Sequence, residues 1–296
     1  MEIIECGNEV RVYGVTDFCL EHIFECGQAF RWNRSQKGYT GIAAGKVINV
    51  DYMEEDQVLI LKGCTTDEFN EFWKHYFDLT RDYSQIKMDL SSNDQIMEEA
   101  VRYGWGIRIL NQDPWETLIS FIISANNNIT RIKGIIEKLS RKFGKQISGE
   151  GNEGSPCYSF PSPLSLALAD EEDLKACGCG YRGKYIKHTA GMVVNGLIDI
   201  YGLKNLSYEE AHRELVKCMG VGDKVADCIL LFSMEKAEAF PVDVWVKRIM
   251  ESLYIGHTIP KGKIKTYAKK LFGPYAGLAQ QYLFYYAREK KIGKKE

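Results

Sequence analysis

Lys224 and Asp243 are the side chains in this sequence whose surroundings most favour covalent chemistry. Lys224 lies in the run Met219-Gly220-Val221-Gly222-Asp223-Lys224-Val225-Ala226-Asp227, and Asp243 in Pro241-Val242-Asp243-Val244-Trp245. Apolar helical runs flank Gly-Val-Gly, from Tyr208 to Lys217 and from Lys224 to Met234. The two glycines therefore read as a tight turn between helices, at φ values other residues avoid. Such a turn leaves the first N–H groups of the second helix bare, a ready seat for a phosphate. Lys224 falls in the first turn of that helix, where the positive end of the helix dipole disfavours an ammonium. A neutral amine is a nucleophile that can form a Schiff base. Asp243 follows after a helix and the short loop Glu238-Ala239-Phe240-Pro241, so it can fold back beside the lysine. Taken alone, the stretch also fits a plain helical turn with a surface lysine. A dinucleotide fingerprint does not fit, because it needs a preceding strand and Glu209 to Leu215 reads as helix.

The elements that must position these groups fall into two parts, residues 1–100 and 101–296. Within residues 1–64, Glu9–Tyr13, Tyr39–Ala43, Lys46–Val50 and Gln57–Leu61 carry β-branched residues, with glycine or acidic turns between several of them. They predict a small antiparallel sheet. Asp67 to Phe77 places Phe69, Phe72, Trp73 and Tyr76 at helical spacing, a core-facing helix. From about Ser91 the pattern is helical, opening with a capping-box-like signal at Ser92. Asp113-Pro114 starts a further helix that is apolar nearly all round and should be buried. The glycine-, proline- and serine-rich stretch from Phe143 to Pro161 reads as an exposed loop. A helix-hairpin-helix is expected at about residues 207–234. The fold class is α+β: an antiparallel sheet domain followed by a helical region.

Composition restricts the setting. No apolar run approaches the roughly 20 residues that cross a bilayer, and the acidic start lacks a signal-peptide pattern. An intracellular, monomeric protein is expected. Nine cysteines have no framework or zinc spacing and read as reduced thiols. The formal charge of −2 is unevenly spread: residues 1–100 hold 9 Lys/Arg against 19 Asp/Glu, and residues 241–296 hold 12 against 4. This asymmetry points to a polyanion-binding face. Lys247, Arg248, Lys261, Lys263, Lys265, Lys269 and Lys270 belong to it, beyond the basic tail of Lys290, Lys291, Lys294 and Lys295.

Four further segments stand out: Gly27-Gln28-Ala29-Phe30-Arg31-Trp32; Asn126-Asn127-Asn128 with Arg131; Tyr181-Arg182; and Gln280 with Phe284, four apart on one helix face. Together with Gly-Val-Gly-x-Lys-Val-Ala-Asp and Val-Asp-Val, they give the chain a resemblance to the 8-oxoguanine DNA glycosylase/AP lyase family, over roughly residues 1–288. The resemblance implies an N-terminal domain like that of the TATA-binding protein and excision of 8-oxoguanine from duplex DNA, preferably opposite cytosine. By that resemblance Lys224 attacks the sugar and Asp243 stabilises the cationic intermediate. Gly27, Cys228, Gln280 and Phe284 would hold the extruded base. The Gly27 backbone carbonyl would accept from the N7–H that only the oxidised base carries; guanine would set two acceptors face to face, costing ~1–3 kcal/mol. Asn126, Arg131, Tyr181 and Arg182 would fill the vacated stack and read the orphaned cytosine, as base flipping requires. Gly220, Gly222, Val225 and Trp245 would face DNA phosphates.

No redox or metal cofactor is implied for the chemistry. A structural cation on the backbone of Val216, Cys218 and Val221 is implied as in the family. No cysteine follows Cys228, which argues against the iron–sulfur members of the wider superfamily. Two positions depart from the family pattern. Trp245 stands where vertebrate-type members have histidine, and Ala287 where the last helix is expected to carry aspartate.

Overall fold

The computed structural model describes residues 1–151 and 154–292. Strands β1 (Glu2–Cys6), β2 (Glu9–Tyr13), β3 (Trp32–Arg34), β4 (Tyr39–Ala43), β5 (Lys46–Met53) and β6 (Val58–Lys62) form one antiparallel sheet in the order β1-β2-β6-β5-β4-β3. Val10 and Val12, Ile48 and Val50, and Leu59 and Leu61 point into one core with Phe69, Trp73 and Phe77. The four strands expected from the sequence are present. The two additional ones are the sheet's edges, β1 largely exposed and β3 carrying the exposed Asn33 and Arg34, so neither shows a hydrophobic alternation. The aromatic helix is a composite: an α turn at Thr66–Glu68, a π stretch at Phe69–Trp73 and another α turn at Lys74–Tyr76. A capping box between Thr65 and Glu68 starts it.

Helical structure begins earlier than the sequence pattern suggested. Tyr83–Ser91 is already a helix, capped by Asp82, whose side chain accepts from the Gln85 amide at 3.0 Å. The next helix, Gln95–Tyr103, is capped by Asp94 rather than Ser92; the aspartate accepts from the Met97 amide at 2.9 Å. The expected loop from Phe143 to Pro161 contains a hairpin, β7 (Gln146–Glu150) with β8 (Pro156–Tyr158), whose first strand packs on β5. Glycine lowers strand propensity, and the hairpin is held by tertiary contact: Gly149 lies against the Val47 side chain. Lys294 and Lys295 fall outside the described residues.

The sheet and the helical region are laced together by residues 107–112. Gln28 is fully buried at the crossing. Its Nε2 donates to the carbonyls of Ile23 (2.9 Å) and Arg108 (2.8 Å), and its Oε1 accepts from the Leu110 amide at 2.9 Å. Gln112 Nε2 donates to the Gln28 carbonyl, and the Gln112 amide donates to the Phe232 carbonyl. One short segment thus fixes the backbone beside Gly27 to the end of the helix that carries Lys224. Behind it, the Pro114–Ser124 helix packs on the Asp223–Ser233 helix, and every position from Val225 to Ser233 is buried. Among the described residues, no helix is long and apolar enough to cross a membrane.

Candidate active site

The hairpin consists of Tyr208–Leu215 and Asp223–Ser233. A capping box between Ser207 and Glu210 starts the first helix. Only one of the two turn glycines is forced by the backbone. Gly220 has φ +86°, and a Cβ there would stand 2.7 Å from the Tyr185 ring. Gly222, the N-cap of the second helix, has an ordinary φ of −97°, and nothing lies within 4 Å of where its Cβ would be. Among the described residues no side chain caps this helix, so its N-terminal backbone is left bare. That is the arrangement an anion needs.

The second helix is braced from behind by Asp227. This carboxylate is fully buried and accepts from the Tyr208 hydroxyl at 2.7 Å. It also meets Lys265 at 2.5 Å and lies 3.9 Å from His212. Lys265 therefore points inward rather than toward a polyanion. Lys247 pairs with Glu251, and Lys269 with Glu209 at 3.4 Å. Arg248, Lys261, Lys263 and Lys270 remain on the exposed surface.

Lys224 projects into a cleft of about 50 Å³ lined by Cys26, Gly27, Phe121, Cys228, Asp243 and the α-helical Gln280, Gln281 and Phe284. Its ammonium lies over the Phe121 ring, 5.3 Å from the centroid. Asp243 is the N-cap of Val244–Ile249: one carboxylate oxygen accepts from the Val246 amide at 2.7 Å. A helix start thus fixes the aspartate's direction, and aspartate is among the residues best suited to that position. Gly27 has φ +84°, and the Phe284 ring stands 3.8 Å from where its Cβ would be. Cys228 is buried, and burial pushes its thiol up to about 11 despite the neighbouring Lys224. Gln280 and Gln281 are 4 % and 3 % exposed, and the Oε1 atom of each has no hydrogen-bond partner among the described residues. The cleft is small: an engineered cavity that takes up benzene measures roughly 150 Å³. A roomier cavity of about 320 Å³ lies between Phe30, Tyr76 and Tyr201. Its Arg31 and Glu116 already face each other at 3.7 Å, and Lys224 and Asp243 are not in it.

The structure thus brings six sequence-predicted residues to one cleft: Lys224, Asp243, Gly27, Cys228, Gln280 and Phe284. Asn126, Tyr181 and Arg182 form a second group. Tyr181 is 55 % exposed, and the Arg182 guanidinium lies 4.6 Å from its ring centroid. Arg182 itself is only 4 % exposed, with Nε donating to the Ala125 carbonyl at 2.9 Å and Nη2 to the Asn126 carbonyl at 3.0 Å. It acts here as a strut that holds Asn126 at φ +51°. Arg131 is exposed on the helix that follows, where Asn128 caps the Arg131 amide. Trp245 is half-buried, with the Arg248 guanidinium 5.6 Å from its ring, and Ala287 is buried. Val216 is partly exposed, while Cys218 and Val221 are buried.

Sequence reasoning missed Phe121, Phe232 and Gln281 in the cleft wall. Phe232 continues the i, i+4, i+8 stripe of Lys224 and Cys228, a signal available from spacing alone.

A lysine at the start of the second hairpin helix and an aspartate capping the next helix define a DNA glycosylase of the helix-hairpin-helix class. Residues 119–274 match the family described as helix-hairpin-helix base excision DNA repair proteins, and residues 12–118 match the 8-oxoguanine DNA glycosylase N-terminal domain. The chain belongs to the 8-oxoguanine DNA glycosylase family and is a DNA glycosylase with lyase activity. It is 31% identical to an N-glycosylase/DNA lyase of Arabidopsis thaliana, over 91% of this chain and 77% of that protein. To the N-glycosylase/DNA lyase of Saccharomyces cerevisiae it is 30% identical, over 94% and 84%. The crystal structure of a Clostridium acetobutylicum 8-oxoguanine glycosylase/lyase, in complex with duplex DNA bearing cytosine opposite 8-oxoguanine, superposes with a TM-score of 0.94 at 45% identity and covers 99% of both chains.

Proposed function

We propose that this enzyme excises 8-oxoguanine from duplex DNA, preferentially opposite cytosine, through a Schiff base on Lys224. The observation that carries the reading is the convergence of Lys224, the capped Asp243, Gly27 and Gln280 on one cleft. The Lys224 amine, having given up a proton, forms a bond to C1′ of the extruded nucleotide as the C1′–N9 bond breaks, and the electron pair leaves with the base, which takes up a proton. Asp243 offsets the positive charge that develops on the sugar. Opening of the sugar ring gives the Schiff base. Loss of a proton from C2′ then expels the 3′ phosphate by β-elimination, and water releases the lysine. Tyr181 and Asn126 would occupy the gap left in the duplex, and Gly220, Gly222 and Val225 would seat a phosphate on the hairpin, with Trp245 nearby.

No cofactor is needed for these steps. The carbonyls of Val216, Cys218 and Val221 would hold a hard cation, which all-oxygen donors suit. The Cys218 carbonyl takes one hydrogen bond from the Val221 amide at 3.0 Å and keeps a second lone pair. The ion would add positive charge beside the phosphate seat and takes part in no bond change. The test is borohydride trapping on an 8-oxoguanine:cytosine duplex. Lys224→Gln is expected to lose the trapped adduct and strand cleavage while retaining lesion binding. Trapping at the wild-type level in that variant would move the nucleophile elsewhere.

A further inference from the structure

Gln281 follows Gln280 on the Ala276–Lys290 helix and has no role in the reaction described so far. It is 3 % exposed, it lines the cleft with Lys224 and Asp243, and its Oε1 has no hydrogen-bond partner among the described residues. A buried amide oxygen without a donor is costly. The helix buries Leu278, Ala279, Tyr282 and Leu283 around it, and leucine or methionine at 281 would fill the same space without the penalty. The unsatisfied oxygen is explained if its donor arrives with the substrate.

The neighbouring residues define what that donor is. Successive residues on an α-helix are rotated by about 100°, so Gln280 and Gln281 reach the cleft at an angle to each other rather than side by side. Phe284 shares the stripe of Gln280 one turn further on and touches the Gly27 end of the cleft. The two glutamines therefore stand together, one helical turn away from Gly27. The two Oε1 atoms, with the Gly27 carbonyl that the proposed function uses as an acceptor, leave the walls in want of donors. A complementary ligand must be rich in N–H groups. 8-Oxoguanine carries N7–H at one edge and N1–H with a 2-amino group at the other. Adenine has no N1–H and no 2-amino group.

We infer that Gln281 is a second base-reading amide, whose Oε1 accepts a hydrogen bond from the 2-amino group of the extruded purine while Gln280 serves the rest of the same edge. The inference rests on the reading of this cleft as the seat of a flipped 8-oxoguanine, and it makes Gln281 a determinant of specificity for the 2-amino group.

The experiment crosses two proteins with two bases. Wild type and Gln281→Met, a substitution that keeps side-chain length, are assayed in single turnover on duplexes containing 8-oxoguanine or 8-oxohypoxanthine, which lacks only the 2-amino group, each opposite cytosine. Differences in duplex stability between the two lesions cancel in the ratio of ratios. Wild type is expected to favour 8-oxoguanine, and the variant to lose about tenfold of that preference, entirely through slower excision of 8-oxoguanine. An equal slowing on both bases would show that Gln281 only supports the cleft, and an unchanged preference would show that another group meets the amine; either result overturns the inference. Should the melting temperature show that Gln281→Met does not fold, Gln281→Leu serves in its place with the same expectations. Failure of the underlying reading is distinct, because wild type would then excise neither base.

Discussion

Replacing Gln28 by leucine removes the amide that joins the sheet domain to the helical region. The leucine fits the same space, so the cost lies in the polar groups it strands. Two buried backbone groups are left unpaired, the Arg108 carbonyl and the Leu110 amide, while the Ile23 carbonyl loses one of two donors and keeps the Cys26 thiol at 3.2 Å. At ~1–3 kcal/mol for each unpaired buried group, with part recovered by relaxation, the loss is about 3–5 kcal/mol. A whole protein is stable by only ~5–15 kcal/mol, and each kcal/mol is worth roughly 2–4 °C in a chain near this size. Gln28→Leu should therefore melt on the order of 10 °C lower by far-UV circular dichroism. In guanidinium the transition midpoint should fall with little change in slope. Gln36→Leu, at an exposed position, is the control and should stay within about 0.5 kcal/mol of wild type. Excision should suffer too, even at temperatures where the variant is folded, because Gly27 is the next residue. A drop in melting temperature of under about 2 °C would refute the idea that Gln28 is an essential clamp.

Asp243→Asn keeps a good helix cap but removes the negative charge; single-turnover excision should fall by orders of magnitude, on the order of 10²–10³, with lesion binding and melting temperature near wild type. An unchanged rate would remove Asp243 from the chemistry. Arg131→Ala should lower the preference for cytosine over adenine by about tenfold, in line with one lost base contact, with little change opposite adenine; Arg182→Ala should instead slow excision opposite every base, because it also releases the Asn126 backbone. Kinetics on duplexes with each opposite base separate these outcomes. Burial and the nearby Asp113 charge push the Glu116 carboxyl up to about 7, against the opposing pull of Arg31. A carboxyl whose pKa rises on folding binds more protons in the native state, so its contribution favours folding at low pH and is lost as pH rises from about 4.5 to 7. Glu116→Gln should accordingly gain stability relative to wild type as the pH is raised across that window, and melting curves at pH 5 and 7.5 that move in parallel would contradict the assignment.

The candidate site was readable in the sequence because its determinants are local. A glycine turn, a lysine one residue into a helix and an aspartate at the next helix start are each visible within a few residues. The β strands with alternating valines and leucines were readable for the same reason. What was not legible depends on distant contact. Arg182 gives no sign in the chain that its guanidinium is spent on the carbonyls of Ala125 and Asn126, more than fifty residues away. Lys265 counts as one more surface charge until Asp227 is found buried beneath it. Gln28 is a polar residue in a motif until the structure puts it at the seam. The β7–β8 hairpin, rich in glycine, carries no periodic pattern of its own.

The cleft thiols bear on survival of the enzyme rather than on its reaction. An enzyme that acts on oxidised DNA works where oxidants are present, and peroxide attacks the thiolate form of cysteine. Cys26 and Cys228 line the Lys224 cleft, and burial pushes both thiols up to about 11. At neutral pH about one molecule in ten thousand carries either as a thiolate, by the separation of four pH units. The walls of the cleft therefore resist sulfenic acid formation, and an oxidant reaches the exposed Cys6 first, at the edge of the sheet and away from the chemistry.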